Sequence, residues 1–233
     1  MLYQVLKNIK KGIYYLNKTL SADPNNTDAL AWCGFFYFLV GKTDKANALI
    51  NRYTQLDPVN IAIPLVNGIR LFFDGKFGSA TPFFFKSYKA VPDTPMYQFW
   101  YALSLAYDYR NEEVMTVVDQ ALKSPNQDIW TQLGHFLKLA IQGDDKGISD
   151  LLSDDFVATC KRDLQYSYHI STFYEKMGNS DKAYEWLENA VDTGFINYPF
   201  MNNIDPFYKN LRMEERFKKL MERVKYEWEN FEV

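Results

Sequence analysis

The clearest helical pattern in the chain lies at its C-terminal end. Apolar residues recur there at steps of three or four positions, with one adjacent pair, and such spacing places them on one face of an α-helix. The positions between them are charged and mixed in sign, which is typical of a solvated face. The pattern therefore predicts a capping helix that packs through a single stripe, formed by Met213, Phe217, Leu220, Met221, Val224, Trp228 and Phe231.

A second apolar stretch runs from Leu30 to Val40 and ends at Gly41 and Lys42. It is about half the length of a membrane-spanning helix, which needs about 20 apolar residues. The N-terminal residues contain no signal-peptide core or cleavage site. We therefore expect a cytoplasmic protein without contact to a membrane.

The same short turn occurs three times, as a Gly followed five residues later by an Ala. The first two turns are 34 residues apart, and the third lies 103 residues further on, close to three periods. Around the first two turns, a second Gly stands seven residues earlier and a Pro stands twelve residues after the Ala. These positions are Gly41 and Ala46, Gly75 and Ala80, Gly178 and Ala183, with Gly34, Gly68, Pro58 and Pro92 around the first two.

This 34-residue pattern resembles the tetratricopeptide repeat, which consists of two antiparallel helices per unit. The resemblance covers about residues 10 to 194. It implies an all-α fold, a right-handed superhelical solenoid of about five helix pairs with one preceding helix and a C-terminal capping helix. In such units a small residue lets the two helices approach closely, an Ala fills the same contact from the second helix, and a Pro ends that helix.

Five units follow from these anchors within one predicted domain, 1–233. The third unit is degenerate, with Ala102 in place of the Gly and Val114 in place of the Ala, and the fourth becomes irregular around residues 153–155. Because the partial unit at the start is too short for a complete helix pair, we expect the chain to be the C-terminal part of a longer protein. A non-repeating helical bundle is the alternative. The predicted units are 27–60, 61–94, 95–126, 127–163 and 164–197, with a partial unit at 1–26 and a C-terminal cap at 203–233.

The run from Ala183 to Val224 is also similar to a tail that closes tetratricopeptide arrays in bacterial signalling proteins. There the array follows a protein kinase, a nucleotide cyclase or a winged-helix DNA-binding domain. This second resemblance implies a sensory, regulatory or scaffolding domain, with catalysis or DNA binding upstream. The residues that carry it are Ala183 to Ala190, Asp205-Pro206, Leu211-Arg212 and Glu215 to Phe217.

The charge of the chain argues against nucleic-acid binding, and its composition is rich in aromatic residues. The chain has 26 Lys and Arg against 29 Asp and Glu, a net charge of −3, which weakens a nucleic-acid-binding interpretation. A basic stretch near the N-terminus, with Lys7, Lys10, Lys11 and Lys18, is interpreted as a solvated face rather than a nucleic-acid contact. Aromatic residues are unusually frequent at 17%.

The residues that could support catalysis are few. Gly41-Lys42-Thr43 is not a phosphate-binding loop, because Phe36 stands where that loop needs a Gly and no strand precedes it. Two Cys and two His, in separate parts of the chain, are too few for a zinc site. We therefore expect no enzymatic activity, no metal and no cofactor, and structural roles for Cys33, Cys160 and His169.

The resemblance to tetratricopeptide repeats places the first helix of each unit on the inner wall of the superhelix. At the groove positions of that family the chain carries mainly apolar and aromatic residues, which predicts a groove for a peptide or an amphipathic helix of a protein partner. The alternative is that another segment fills the groove, in which case these residues are core. The predicted partner-binding residues are Phe35, Phe38, Leu65, Ile69, Phe72, Phe73, Phe99, Leu103, Tyr107, His135 and Tyr168.

The family's chaperone-binding clamp uses Lys and Asn at two of these groove positions. Here Ala31 and Phe35 occupy them. Binding of a chaperone tail through its carboxylate is therefore not expected.

Overall fold

Helices account for all regular structure in residues 9–233, the range that the computed structural model describes, and the predicted all-α fold is confirmed there. Short turns join most of the helices in pairs. In chain order the helices are α1 Ile9–Ala22, α2 Thr27–Leu39, α3 Thr43–Leu56, α4 Ile63–Phe73, α5 Phe77–Ala90, α6 Pro95–Tyr107, α7 Asn111–Lys123, α8 Ile129–Gln142, α9 Asp145–Leu151, α10 Asp154–Lys161, α11 Leu164–Lys176, α12 Ser180–Thr193 and α13 Glu215–Glu229.

The pairs α2–α3, α4–α5, α6–α7 and α11–α12 are helical hairpins, each within one of the predicted units. With the fourth unit, in which α8 packs against α9, they are numbered by unit as the first to the fifth hairpin. In the fourth unit two short helices, α9 and α10, stand where the other units have one second helix. Ser153 caps α10 by accepting a hydrogen bond from the Phe156 amide. Helix α1 precedes the first pair, and residues 1–8 of the predicted partial unit lie outside the described residues.

Local sequence signals set the ends of the helices. The Asn26 side chain caps α2 by accepting a hydrogen bond from the Ala29 amide. At α8, Asp128 and Thr131 form a reciprocal capping box. Pro95 opens α6 at a position where a missing N–H costs nothing. These signals set where the first helices α2, α6 and α8 begin.

The predicted close approach within the hairpins is present. A Cβ placed on Gly34 would lie 2.7 Å from Ile50 Cδ1, and one on Gly68 would lie 2.9 Å from Phe84 Cε1. Ala46, the small residue predicted on the second helix, is fully buried. The repeated small residues are therefore explained by packing between the two helices of each unit.

The turns between paired helices use one left-handed residue. Gly41 has this conformation with φ +69°, and in the third unit Tyr109 adopts it with φ 59°. A left-handed backbone disfavours a residue with a Cβ by about 1–2 kcal/mol. Tyr109 therefore lies in a strained turn, and its side chain is 71% exposed.

The C-terminal helix differs from its prediction at its start. Helix α13 begins at Glu215, and Met213 belongs to a preceding 3₁₀ turn with a side chain 79% exposed, so its assignment to the apolar stripe was wrong. Phe217, Leu220, Met221 and Val224 do form the buried face. None of the described helices has the length and apolar character needed to cross a bilayer.

Helix α13 also contacts the opposite end of the array. Arg223 Nη1 donates to Asp192 Oδ1 of α12 at 2.8 Å. The Trp228 indole N–H donates to the Gly41 carbonyl at 3.0 Å, and the Lys42 ammonium lies 5.0 Å from the Trp228 ring centre. The last helix therefore bridges the fifth hairpin and the first.

Candidate functional site

The predicted groove residues lie on the first helices of the hairpins, but most are not accessible. Phe35 and His135 are partly exposed. The other nine are buried, and these are Phe38, Leu65, Ile69, Phe72, Phe73, Phe99, Leu103, Tyr107 and Tyr168.

Residues 195–213, here called the C-terminal segment, cover this wall at the first two hairpins. Asn197 Nδ2 donates to the Phe38 carbonyl at 2.7 Å. The Phe200 ring lies 5.6 Å from the Phe72 ring and 5.0 Å from the Phe73 ring. Phe200 has no exposed surface, so its ring is part of the core.

The segment continues to the third and fifth hairpins. The Phe207 ring lies 4.4 Å from the Tyr107 ring of α6, and the Phe195 ring stacks 4.0 Å from the Tyr168 ring of α11. The Tyr208 hydroxyl donates to Ser171 Oγ at 2.9 Å. This one segment, which contains the π-helical turn Phe200–Ile204 and the 3₁₀ turns Pro206–Tyr208 and Leu211–Met213, therefore contacts four of the five hairpins.

The groove predicted from the sequence is therefore not open: the C-terminal segment fills it, as in the alternative stated for these residues. In this structure the nine buried residues contribute to the core instead of presenting an open groove. The physical reason is that the segment supplies its own aromatic side chains to the wall, and burying each such ring contributes about 1.5–3 kcal/mol. Phe195, Phe200 and Tyr208 are all buried.

A buried carboxylate fixes the segment in place. The hydroxyls of Tyr107 and Tyr168 both donate to Asp205 Oδ2, the first at 2.9 Å. The Phe207 amide donates to Asp205 Oδ1 at 2.9 Å. Arg212 Nη2 donates to the Asp205 carbonyl at 2.7 Å and to the Met201 carbonyl at 3.0 Å. Both oxygens of the carboxylate are therefore satisfied, as a buried charged group requires.

Burial dominates the proton affinities in this network. Desolvation raises the pKa of Asp205, while the Tyr168 and Phe207 hydrogen bonds oppose that increase. Desolvation and the nearby Asp205 carboxylate both raise the pKa of Tyr107 and of Tyr168. The tyrosines are therefore neutral donors near neutral pH, which suits them to hold one buried carboxylate.

The rest of the inner wall is closed by contacts between first helices. The Phe99 ring of α6 lies 5.1 Å from the His169 ring of α11 and 5.2 Å from the Trp130 ring of α8. Full burial lowers the pKa of His169 to about 3. Gln165 Nε2 lies 3.2 Å from His169 Nε2. This histidine is therefore neutral and embedded among aromatic rings.

The two thiols lie in environments that disfavour the thiolate. Cys33 and Cys160 are buried, and burial raises the pKa of Cys33 to about 12 and that of Cys160 as well. Thiols of this kind are poor nucleophiles. Within residues 9–233 no group of three or more His, Cys, Asp or Glu side chains is placed to hold a metal ion.

Two of the surface clefts formed by the described residues have volumes of about 470 Å³ and about 440 Å³. The first is lined by turn residues of the fourth and fifth hairpins, including Gly143, Asp145 and Asn179. The second lies where the start of α1 meets the ends of α12 and α13. The buried polar atoms without a hydrogen-bond partner in the described range belong to other residues: Asn47, Gln98, His169 and Arg212. Neither cleft therefore has a built polar site.

Exposed apolar side chains concentrate at the first hairpins. Seven of the eleven large exposed apolar side chains in the described range fall between residues 14 and 85, and none falls between 110 and 212. Trp32 is 41% exposed, and its ring lies 6.2 Å from the Phe35 ring. The seven are Tyr14, Tyr15, Trp32, Leu56, Val59, Ile61 and Phe85.

Sequence reasoning missed the residues that fill the wall. Phe195, Phe200, Phe207 and Tyr208 were not assigned a role, because they lie between two helical patterns and follow no helical spacing themselves. The signal available was composition, since a run this rich in aromatic residues is seldom a solvated loop.

Among known proteins, the chain is similar to solved structures at low sequence identity. No protein-family model matches the chain, and no curated protein matches it. Solved structures similar to it include the crystal structure of YrrB, described as a TPR protein with an unusual peptide-binding site. The two share 17% sequence identity, the match covers 77% of this chain and 92% of YrrB, and the TM-score is 0.43. A likeness this distant says nothing about what this chain binds, and the fold described above rests on the chain's own helices.

Proposed function

We propose that this chain is a non-enzymatic protein-interaction module of the tetratricopeptide type. One observation carries the proposal: seven large exposed apolar side chains fall within residues 14–85, while residues 86–212 expose no large apolar side chain beyond Tyr109. Uneven exposure of this kind is typical of a surface that contacts another protein. Exposed aromatic rings such as that of Trp32 are enriched among the residues that carry binding energy.

The inner wall has a different role in this proposal. It holds the chain's own C-terminal segment through Asp205 and the aromatic rings around Phe200. A partner peptide would reach Phe72 or Tyr168 only after this segment had left. We therefore place the first contact with a partner at the exposed side of the first hairpins, next to Phe35, which keeps part of its surface accessible.

A site-specific crosslink tests the proposal. A photoreactive amino acid replaces Trp32 in one protein and Gln142, an exposed residue at the end of α8, in another. Both tagged proteins are incubated with lysate of the source organism and irradiated. We expect a discrete crosslinked protein at position 32 and none at position 142. Equal crosslinking at both positions, or none at either, would contradict the proposal.

A matched pair of substitutions separates binding from folding. Trp32→Ala removes an exposed ring at the first hairpin, and Tyr226→Ala removes one on α13 that is 69% exposed. Both proteins are expected to keep the helical circular dichroism signal. Only Trp32→Ala is expected to lose capture of the crosslinked protein.

A second candidate function is a sensory, regulatory or scaffolding domain of a signalling protein. It is favoured by the packing of residues that resemble the C-terminal tail of signalling proteins. Arg212 donates hydrogen bonds to the Met201 and Asp205 carbonyls, and Phe217 is buried. Sequencing the natural reading frame upstream of Met1 tests it. An encoded catalytic or DNA-binding domain in frame is the expected result, and a stop codon with a ribosome-binding site directly upstream contradicts it.

A further inference from the structure

Charge is divided unevenly among the second helices of the array. Helices α1, α3 and α5 together contain seven Lys and Arg residues and one acidic residue, Asp44. Helices α7, α9, α10 and α12, which occupy the same position in later units, contain eleven acidic residues and four Lys. The small net charge of −3 therefore includes the opposing contributions of a basic group of second helices in the first half of the chain and an acidic group in the second half.

Most basic side chains of α1, α3 and α5 are exposed and are not paired with carboxylates of the described residues. Lys86 lies 5.6 Å from the Phe83 ring centre, and Lys89 lies 5.7 Å from that of Phe85. Aromatic rings position an ammonium group without neutralising it. Six of the seven cations form no ion pair with any residue in the described range, and these are Lys10, Lys18, Lys45, Arg52, Lys86 and Lys89.

Exposed aromatic rings accompany these cations on the same helices. Tyr14, 54% exposed, and Tyr15 lie on α1 between Lys11 and Lys18, one helical turn from each. Phe85 is exposed on α5 beside Lys89. Positive charge and exposed rings thus occur together on α1 and α5, and α3 exposes Leu56, while the acidic helices α7, α9, α10 and α12 expose no large apolar side chain.

We propose that helices α1, α3 and α5 form a docking surface for an acidic protein segment that also carries apolar side chains, such as an amphipathic helix with Glu and Asp on its flanks. This inference rests on the proposed function: it names the chemistry of the partner and adds a contact surface on these three helices to the contact at Trp32 of α2. Carboxylates of the partner pair with the ammonium groups, and its apolar side chains cover the rings of Tyr14 and Phe85. The combination supplies both steering and contact area.

Other occupants fit these observations less well. A second copy of the chain could offer its acidic helices, but they carry no exposed large apolar residue to cover the rings, and exposed ion pairs alone contribute little. A membrane surface would need apolar side chains free to insert, and the apolar residues Ile9 and Ile13 of α1 face the core instead. Nucleic-acid phosphates would also pair with the ammonium groups but would leave the exposed side chains of Leu56 and Phe85 without apolar partners, and the oligonucleotide probe below tests this occupant.

Fluorescence anisotropy with three labelled probes tests the inference on the full chain. The first probe is an 18-residue amphipathic peptide with Glu on its polar face and Leu and Phe on its apolar face. The second has Lys in place of every Glu, and the third is a twelve-nucleotide single strand of thymidine. We expect the Glu peptide to bind at least tenfold more tightly than either of the others, with affinity that falls as salt concentration rises.

Two triple variants with the same change in net charge locate the site. Lys18→Glu, Lys86→Glu and Lys89→Glu together are expected to weaken binding of the Glu peptide at least tenfold. Lys123→Glu, Lys146→Glu and Lys219→Glu together reverse exposed lysines elsewhere and are expected to change it less than twofold. Circular dichroism and the melting temperature confirm that both variants fold.

Four results would overturn the inference: equal weakening by both triple variants, no weakening by the first, tighter binding of the Lys peptide, or tighter binding of the oligonucleotide. Sedimentation velocity adds a fifth, a dimer of the wild-type chain that the first triple variant dissociates. If the crosslink at position 32 persists while any of these is observed, the proposed function stands and only the acidic partner is excluded.

Discussion

Replacing Phe200 by Ala tests whether the C-terminal segment is part of the core. The Phe200 ring is fully buried and contacts the rings of Phe72, Phe73, Phe77 and Tyr168 at 5.0 to 6.5 Å between ring centres. Truncating a buried Phe to Ala costs about 3–5 kcal/mol, because apolar contacts are lost and a cavity remains. For a domain of this size that corresponds to a fall in melting temperature of about 6 to 20 °C.

Urea unfolding followed by circular dichroism measures this change. Phe200→Leu keeps more of the volume and is expected to cost about 1 kcal/mol, so it stays measurable if the Ala variant unfolds. Met213→Ala, in the same segment but 79% exposed, is expected to change the free energy of unfolding by less than about 0.5 kcal/mol. A loss below about 1 kcal/mol for Phe200→Ala would refute the reasoning and would mean that the inner wall is available to a partner.

Three further predictions follow from single residues. Burial lowers the pKa of His169 to about 3 in the folded chain, against an ordinary value of 6.5. Between pH 6.5 and pH 3 the unfolded chain therefore binds a proton that the folded chain does not, and the free energy of unfolding falls by about 2 kcal/mol between pH 7.5 and pH 5. In urea titrations, His169→Gln should remove that part of the pH dependence. Gly75→Ala and Gly178→Ala impose similar backbone strain, because both glycines have a left-handed backbone. The new Cβ at position 75 would lie 2.8 Å from Ile204 Cγ2, whereas the one at position 178 would meet no atom within 4 Å. In the same assay Gly75→Ala should therefore be the more destabilising by about 1–3 kcal/mol. Tyr109→Gly relieves a left-handed turn and should raise the free energy of unfolding by about 0.5 to 1 kcal/mol, and an unchanged or lower value would speak against strain there.

The helical hairpins could be predicted because their packing repeats with the sequence. A small residue at Gly34 and Gly68 lets two helices approach within each unit, and a turn residue at Gly41 and Gly75 reverses the chain. Each requirement acts between residues close in sequence, so one chain contains several independent copies of the same signal.

The filling of the inner wall could not be predicted in the same way. Asn197 contacts Phe38 across 159 positions, and Asp205 contacts Tyr107 across 98. Contacts between residues so far apart in the sequence produce no periodic sequence pattern. The pattern of an aromatic residue on a first helix is the same whether its side chain faces solvent or another segment. The sequence could therefore identify the wall but not what covers it.

The surface proposed for docking could also be predicted only in part from the sequence. The lysines near the N-terminus were recognised, but their relation to the charges of the later second helices depends on knowing which helices are equivalent. Exposure of Tyr14 and Phe85 depends on how each helix is rotated against the core. Both facts require the folded arrangement.

Hydrogen–deuterium exchange of the wild-type chain tests most directly whether the C-terminal segment is built into the inner wall. The Phe200 amide donates to Asn197 Oδ1 at 3.1 Å, and the Asp205 amide donates to the Phe200 carbonyl at 2.9 Å. Buried amides of this kind exchange only when the surrounding structure opens. We predict that peptides covering residues 197–208 exchange as slowly as peptides from α6. Exchange as fast as that of the exposed loop at residues 125–127 would contradict the account.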